Sequence, residues 1–204
     1  MPERPARCVE DICSTIINMD IFVVRHTEYD NPQNIYPGRL PLALSPAGRK
    51  LAIKIGQWFK KRGYINLPIY SSPVARTLQT AEIIACDTES TVGVDERLTE
   101  IWYSWAGEPI VEALGSQEYY AKPNQEKPKD VLNRIKQVFS EKLNIGEDCI
   151  IVTHGDPATY LYYNIKHGWI PDRLEIHKEY IQLGEIIRYT YKNKNLTSTE
   201  RVGV

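Results

Sequence analysis

Three short stretches of the chain are β-branched or apolar almost throughout: Ile21 to Val24, Leu67 to Tyr70 and Ile150 to Thr153. Each has the length of a strand buried on both faces. Between them the period of the pattern changes to that of a helix. From Pro46 to Arg62, residues Leu51, Ile55, Trp58 and Phe59 share one apolar stripe, and Val74, Leu78, Ala81 and Ala85 repeat it after the second run. A third amphipathic segment, from about Lys129 to Leu143, places Leu132, Ile135, Phe139 and Leu143 on one face and leads into the third run. Glu185 to Tyr191 predicts a further strand near the end. Ser45-Pro46, Ser72-Pro73 and Asp156-Pro157 each set a side-chain acceptor ahead of a proline, which predicts three helix starts. The alternation predicts an α/β chain, a three-layer α/β/α sandwich around a mostly parallel central sheet.

The pattern breaks between Ser104 and Pro128, where Gly107, Pro109, Gly115, Pro123 and Pro128 interrupt any long helix, so about 104–128 reads as an insertion over the sheet. Met19 stands just before the first apolar run. Residues 1–18 therefore read as an N-terminal extension and 19–204 as one domain, a length that a single core can organise. The segment from Lys192 to Val204 is polar and is expected to fray.

Composition narrows the classes. Hydrophobic residues at 42% and charged residues at 25% fit a folded globular chain and argue against disorder. A formal net charge of -1 supplies no electropositive field for nucleic acid, so any anion chemistry must be local. No run approaches the roughly 20 apolar residues of a spanning helix, and the first residues lack the cationic start and apolar core of a secretory signal. Cys8, Cys13, Cys86 and Cys149 have neither CxxC spacing nor the density of a disulfide framework, which fits reduced thiols and a cytoplasmic setting.

In an open parallel sheet, ligands bind outside the carboxyl ends of the strands. Three such ends carry reactive groups here: Arg25-His26-Thr27, Ser71 to Arg76, and Thr153-His154-Gly155-Asp156. Two arginines and two histidines are the equipment of a phosphoryl site. Guanidinium groups such as Arg25 and Arg76 give bidentate contacts to phosphate oxygens, and Arg76 also falls in a first helical turn, whose dipole favours anions. A neutral imidazole can attack phosphorus, and nearby guanidinium groups disfavour its protonated form. A second imidazole could stabilise the charge of the transition state. Glu100 is the candidate general acid for the leaving alkoxide, with Glu96, Glu108 and Glu112 as rivals. Neighbouring arginines lower its pKa while an incoming phosphate raises it.

The ordered set Arg25-His26-Thr27-Glu28, Gly38-Arg39-Leu40, Leu44 to Gly48, Ser71 to Ala81, Leu98-Thr99-Glu100 and Thr153 to Asp156 resembles the histidine phosphatase superfamily, over roughly residues 20 to 190. The resemblance implies a phosphoglycerate mutase-like fold and a phosphomonoesterase acting on a small-molecule phosphate ester through a covalent phosphohistidine. It implies His26 as nucleophile, Arg25, Arg76 and His154 as the phosphate pocket, Glu100 as proton donor, and neither metal nor cofactor. No HExxH, Walker loop or cysteine ligand pair is present in the sequence.

Some positions depart from the family pattern. Thr27 replaces the usual glycine of Arg-His-Gly, as in ribazole-phosphate phosphatase-like members. Trp102-Tyr103-Ser104-Trp105-Ala106-Gly107 replaces a Phe-Gly-x-Trp-Glu-Gly sequence. These aromatics read equally as pocket lining and as anchors of the insertion. Asn31 and Asn34 are rival matches to a phosphate-binding asparagine. Arg39 reads as a solvent-facing loop residue at least as readily as a substrate contact, Glu28 as a solvated loop residue, and His167 and His177 as surface or packing residues. The gap from Glu100 to His154 is 154 − 100 = 54 positions, short for a mutase-like phosphotransferase, which favours hydrolysis. The other alternative is a catalytically inactive phosphate-binding module, suggested by the unusual stretch from Trp102 to Ala106.

Overall fold

A computed structural model describes residues 18–110, 125–171 and 178–204. Residues 1–17 of the expected extension, 111–124 of the expected insertion, and His177 with Cys8, Cys13 and Glu112 lie outside these segments.

The predicted strands and helices form as β1 (Asn18–Arg25), α1 (Pro46–Lys61), β2 (Ile69–Ser71), α2 (Ala75–Thr88), α3 (Pro128–Ile145), β4 (Cys149–Thr153), α4 (Gly155–His167) and β5 (Ile186–Lys192). Two strands join them: β3 (Val92–Val94), and β6 (Asn195–Val202) in the segment expected to fray. The sheet order is β3-β2-β4-β1-β5-β6. The first four strands are parallel, and β5 and β6 are antiparallel additions at one edge. β6 turns back on β5 through Asn193 and Lys194, both with positive φ (50° and 63°). A polar strand is stable at this edge because the ladder to β5 satisfies its backbone while most of its side chains face water.

Alternation along β1 builds both halves of the core. Ile21 and Val23 join Ile135, Val138 and Phe139 of α3 and Leu161 of α4. Phe22 and Val24 join Ile55 and Phe59 of α1 and Ala81 and Ile84 of α2. One helix pair thus covers each face of the sheet, the three-layer arrangement that the alternation predicted. The buried face of α2 differs from the expected apolar stripe. It includes Arg76, Thr77 and Thr80, while Leu78 is only half-buried. The threonine hydroxyls donate to the carbonyls of Val74 and Arg76, so their polar atoms are satisfied inside the helix.

Of the three expected helix starts, one forms as predicted. Ser45 accepts from the Gly48 N–H ahead of Pro46. Helix α2 begins at Ala75, past Ser72-Pro73, and α4 begins at Gly155, ahead of Asp156-Pro157; neither has a side-chain cap. The polar groups of Ser72 and Asp156 are engaged elsewhere, in the site.

Candidate active site

The sheet register brings the reactive segments together. Arg25 pairs with Thr153, and Val152 with both Val24 and Ser71, so the chain leaves β1, β2 and β4 at one level and on adjacent tracks. A short 3-10 turn, Glu96–Leu98, capped by the Asp95 carboxylate, carries Glu100 to the same edge. There the Thr153 hydroxyl donates to the Leu98 carbonyl at 2.7 Å, fastening this loop to the end of β4.

Arg76 joins the two histidines. Its Nε donates to His26 Nε2 and its NH2 to His154 Nδ1, both at 3.0 Å. The imidazole centroids lie 5.2 Å apart. The same guanidinium donates to the carbonyls of Leu40 and Gly38 at 3.2 and 2.6 Å, and it faces the ring of Tyr29, whose centroid is 5.3 Å away.

These partners fix the tautomers. A guanidinium only donates, so His26 Nε2 is an acceptor with its lone pair free of a proton; Nδ1–H donates to the Thr27 carbonyl at 2.8 Å. His154 accepts at Nδ1, and its Nε2–H then donates to the Ser72 hydroxyl oxygen at 2.9 Å. Burial first, and then the charges of Arg76 and Arg25, hold both imidazoles well below the usual histidine pKa.

Arg25 approaches from the Gly155 side. Its NH1 donates to the Ile181 carbonyl at 2.6 Å, its guanidinium lies 5.0 Å from the centre of the Tyr180 ring, and its buried Nε has no hydrogen-bond partner among the described residues. Gly155 makes this approach possible, since a Cβ there would overlap the Tyr180 hydroxyl and crowd the guanidinium.

Glu100 is buried beside His154, its Oε2 4.0 Å from Nδ1, and its Oε1 accepts from the Ile101 N–H. Its pKa is raised to about 7, by burial first and by the Asp156 charge second, against the lowering pull of Arg76 and Arg25. Asp156 accepts from the hydroxyls of Tyr103 and Tyr180 at 2.9 and 2.8 Å. With two phenol donors against one backbone donor for Glu100, Asp156 is the member of this close pair that carries the charge. Among the rival carboxyls, Glu96 is exposed and Glu108 half-buried.

All five residues expected from the sequence, Arg25, His26, Arg76, Glu100 and His154, therefore meet at one edge of the sheet. Sequence reasoning missed Tyr29 and Tyr180, placed Ser72 and Asp156 in the strand-end segments but read their side chains as helix caps, and left Tyr103 between pocket lining and anchor. Arg39, expected in solvent, instead donates from Nε to the Glu100 carbonyl at 2.7 Å. Asn31 spends its side-chain amide on the backbone of Ile35, donating to the carbonyl and accepting from the N–H. Tyr103 and Trp105 stack in the core with centroids 4.2 Å apart, against Tyr36, as anchors; Trp102 is exposed. Glu28 is an exposed loop residue that accepts from the Ser45 hydroxyl, and His167 pairs with Glu179 near the surface.

The family model for the histidine phosphatase superfamily (branch 1) matches residues 21–200. The chain belongs to this superfamily. Among characterised relatives, phosphoserine phosphatase 1 of Hydrogenobacter thermophilus is 29% identical over 157 residues, covering 70% of this chain and 74% of the relative. The human 6-phosphofructo-2-kinase/fructose-2,6-bisphosphatase 4 is also 29% identical, over 145 residues that make up 66% of this chain and 30% of that longer protein. Among solved structures, Bacillus stearothermophilus YhfR superposes with a TM-score of 0.76 at 23% identity, covering 88% of this chain and 94% of the other. Phosphoserine phosphatase from Entamoeba histolytica, in complex with 3-phosphoglyceric acid, gives 0.71 at 22% identity, covering 89% and 96%. These superpositions show that the chain shares the fold of these proteins, the phosphoglycerate mutase-like arrangement. No described helix is long and apolar enough to cross a membrane.

Proposed function

We propose that this histidine phosphatase hydrolyses small phosphate monoesters through a phosphohistidine on His26, in a reaction that draws on no metal ion. The observation that carries the reading is the pair of bonds from Arg76 to His26 Nε2 and His154 Nδ1, which leaves a proton-free nitrogen of a buried imidazole beside a guanidinium. As the Arg76 Nε–H passes from His26 Nε2 to a phosphoryl oxygen, Nε2 attacks phosphorus, forming the N–P bond as the bond to the ester oxygen breaks, and Glu100 gives its proton to the departing alkoxide. Arg25 and Arg76 hold the phosphoryl oxygens and stabilise the charge that they gather, while His154, whose Nδ1 accepts from Arg76, keeps that guanidinium in place. In the second half, Glu100 takes a proton from water as that water attacks phosphorus, the N–P bond breaks, and inorganic phosphate leaves.

Several relatives are named for phosphoserine, so the substrate panel begins with phosphorylated hydroxy acids and amino acids. Incubation with labelled ester followed by denaturation is expected to leave an acid-labile, alkali-stable phosphate on the protein, absent in His26→Ala, with turnover intact in chelator. Full turnover by His26→Ala, or activity that depends on added metal, overturns the mechanism. Isomerised ester in place of free phosphate would instead identify a phosphotransferase.

A further inference from the structure

The backbone that carries Glu100 is held by a set of charged side chains distinct from Arg25, His26, Arg76 and His154. Arg134 of α3 satisfies all five of its N–H donors. NH1 donates to the carbonyls of Arg97 at 2.7 Å and Thr99 at 2.6 Å, and NH2 donates to that of Glu100 at 3.2 Å. Nε and NH2 donate to the two oxygens of Glu126 at 2.6 and 3.0 Å. Glu126 in turn accepts from Arg39 NH2 and from the Trp102 N–H, each at 3.0 Å. Arg39 closes the ring by donating from Nε to the Glu100 carbonyl. Two guanidinium groups thus share one carbonyl oxygen, and a single carboxylate bridges both. Side-chain exposures of 15% for Arg134 and 16% for Glu126 keep this pair largely out of water.

We propose that Arg134, locked by Glu126 and Arg39, is a positioning residue for proton transfer: it fixes the loop so that the Glu100 carboxyl meets the leaving oxygen. The inference rests on the reading of Glu100 as general acid. Its physical basis is rigidity. A planar fork with five donors defines the positions of three carbonyls at once, which the three donors of a lysine ammonium, radiating from one point, cannot do. Proton transfer is sensitive to small displacements of the acid, and an error of about 1 Å can cost about a hundredfold. A carboxyl on an untethered loop would lose that alignment while the pocket made by Arg25, His26, Arg76 and His154 stayed in place.

The test compares kcat/KM for 4-nitrophenyl phosphate, whose leaving group departs without a proton, with that for phenyl phosphate and an alkyl phosphate, which need one. Because kcat/KM reports formation of the phosphoenzyme, the base role of Glu100 in the second half does not enter. Arg134→Lys is expected to lose about tenfold or more on the poor leaving groups and less than about threefold on 4-nitrophenyl phosphate. Glu126→Gln is expected to show the same selectivity more weakly, and it supplies the answer where Arg134→Lys does not fold. An equal loss on all esters assigns these residues a purely structural role and overturns the proposal. Glu100→Gln separates the two layers of the inference. Selectivity in Glu100→Gln without selectivity in either clamp variant refutes the clamp alone, and its absence in Glu100→Gln refutes the general-acid reading itself.

Discussion

The ionisation of Glu100 sets the pH dependence expected of the site. As general acid it must hold its proton, so kcat/KM on phenyl phosphate should fall as pH rises through about 7, the value to which burial and Asp156 raise its pKa. Asp156→Asn removes the neighbouring negative charge, which lowers the pKa of Glu100 and moves this falling limb to lower pH. A limb that stays in place in Asp156→Asn would refute the electrostatic coupling. On the acid side His26 stays neutral well below the usual histidine range, so the rise of activity should follow the second ionisation of the ester, near about 6, rather than the imidazole. Arg25, His26, Arg76 and His154 were legible in the sequence because each ends or follows a strand or opens a helix within a recognisable local motif. Ser72, Tyr103, Tyr180 and Arg134 were not, since their partners lie far along the chain. Ser72 and His154, for example, are 82 residues apart.

At the scale of elements, the strands and helices were legible wherever their apolar pattern was local, and the helix starts only where no tertiary partner competed for the cap. Ser45 has no rival use beyond its donation to Glu28, and it caps α1. Ser45→Ala should therefore cost about 1 kcal/mol, read as a lower urea midpoint at unchanged slope, and an unaltered midpoint would show that Pro46 and the packing of α1 suffice. The Ser72 hydroxyl instead accepts from His154 and from the Val74 N–H, and the Asp156 carboxylate receives two tyrosine hydroxyls. In both places an acceptor that could have capped a helix serves the site, because a buried imidazole or phenol left without a partner costs more than an uncapped first turn.

At the scale of the molecule, the polar segment expected to fray is part of the support of the site. Arg201 of β6 donates to the Glu185 carboxylate and, from NH1, to the carbonyl of Glu179 at 3.0 Å, next to the segment whose Ile181 carbonyl receives Arg25. A chain ending at Lys192 should lose roughly 2 kcal/mol of stability, lowering its thermal midpoint by about 4–8 °C, and should bind phosphate esters more weakly as Arg25 loses its anchor. An unchanged midpoint would mean that β5 is a sufficient edge. The sequence by itself determined the alternation of strand and helix and the identity of five residues at the sheet's edge, because periodicity and strand-end motifs are properties of neighbours in the chain. Only the tertiary structure decided which nitrogen of His26 is proton-free, how strongly Glu100 retains its proton, which arginines hold its loop and that a polar strand closes the sheet. Each of those depends on burial and on partners distant in sequence, and neither is written in any local pattern.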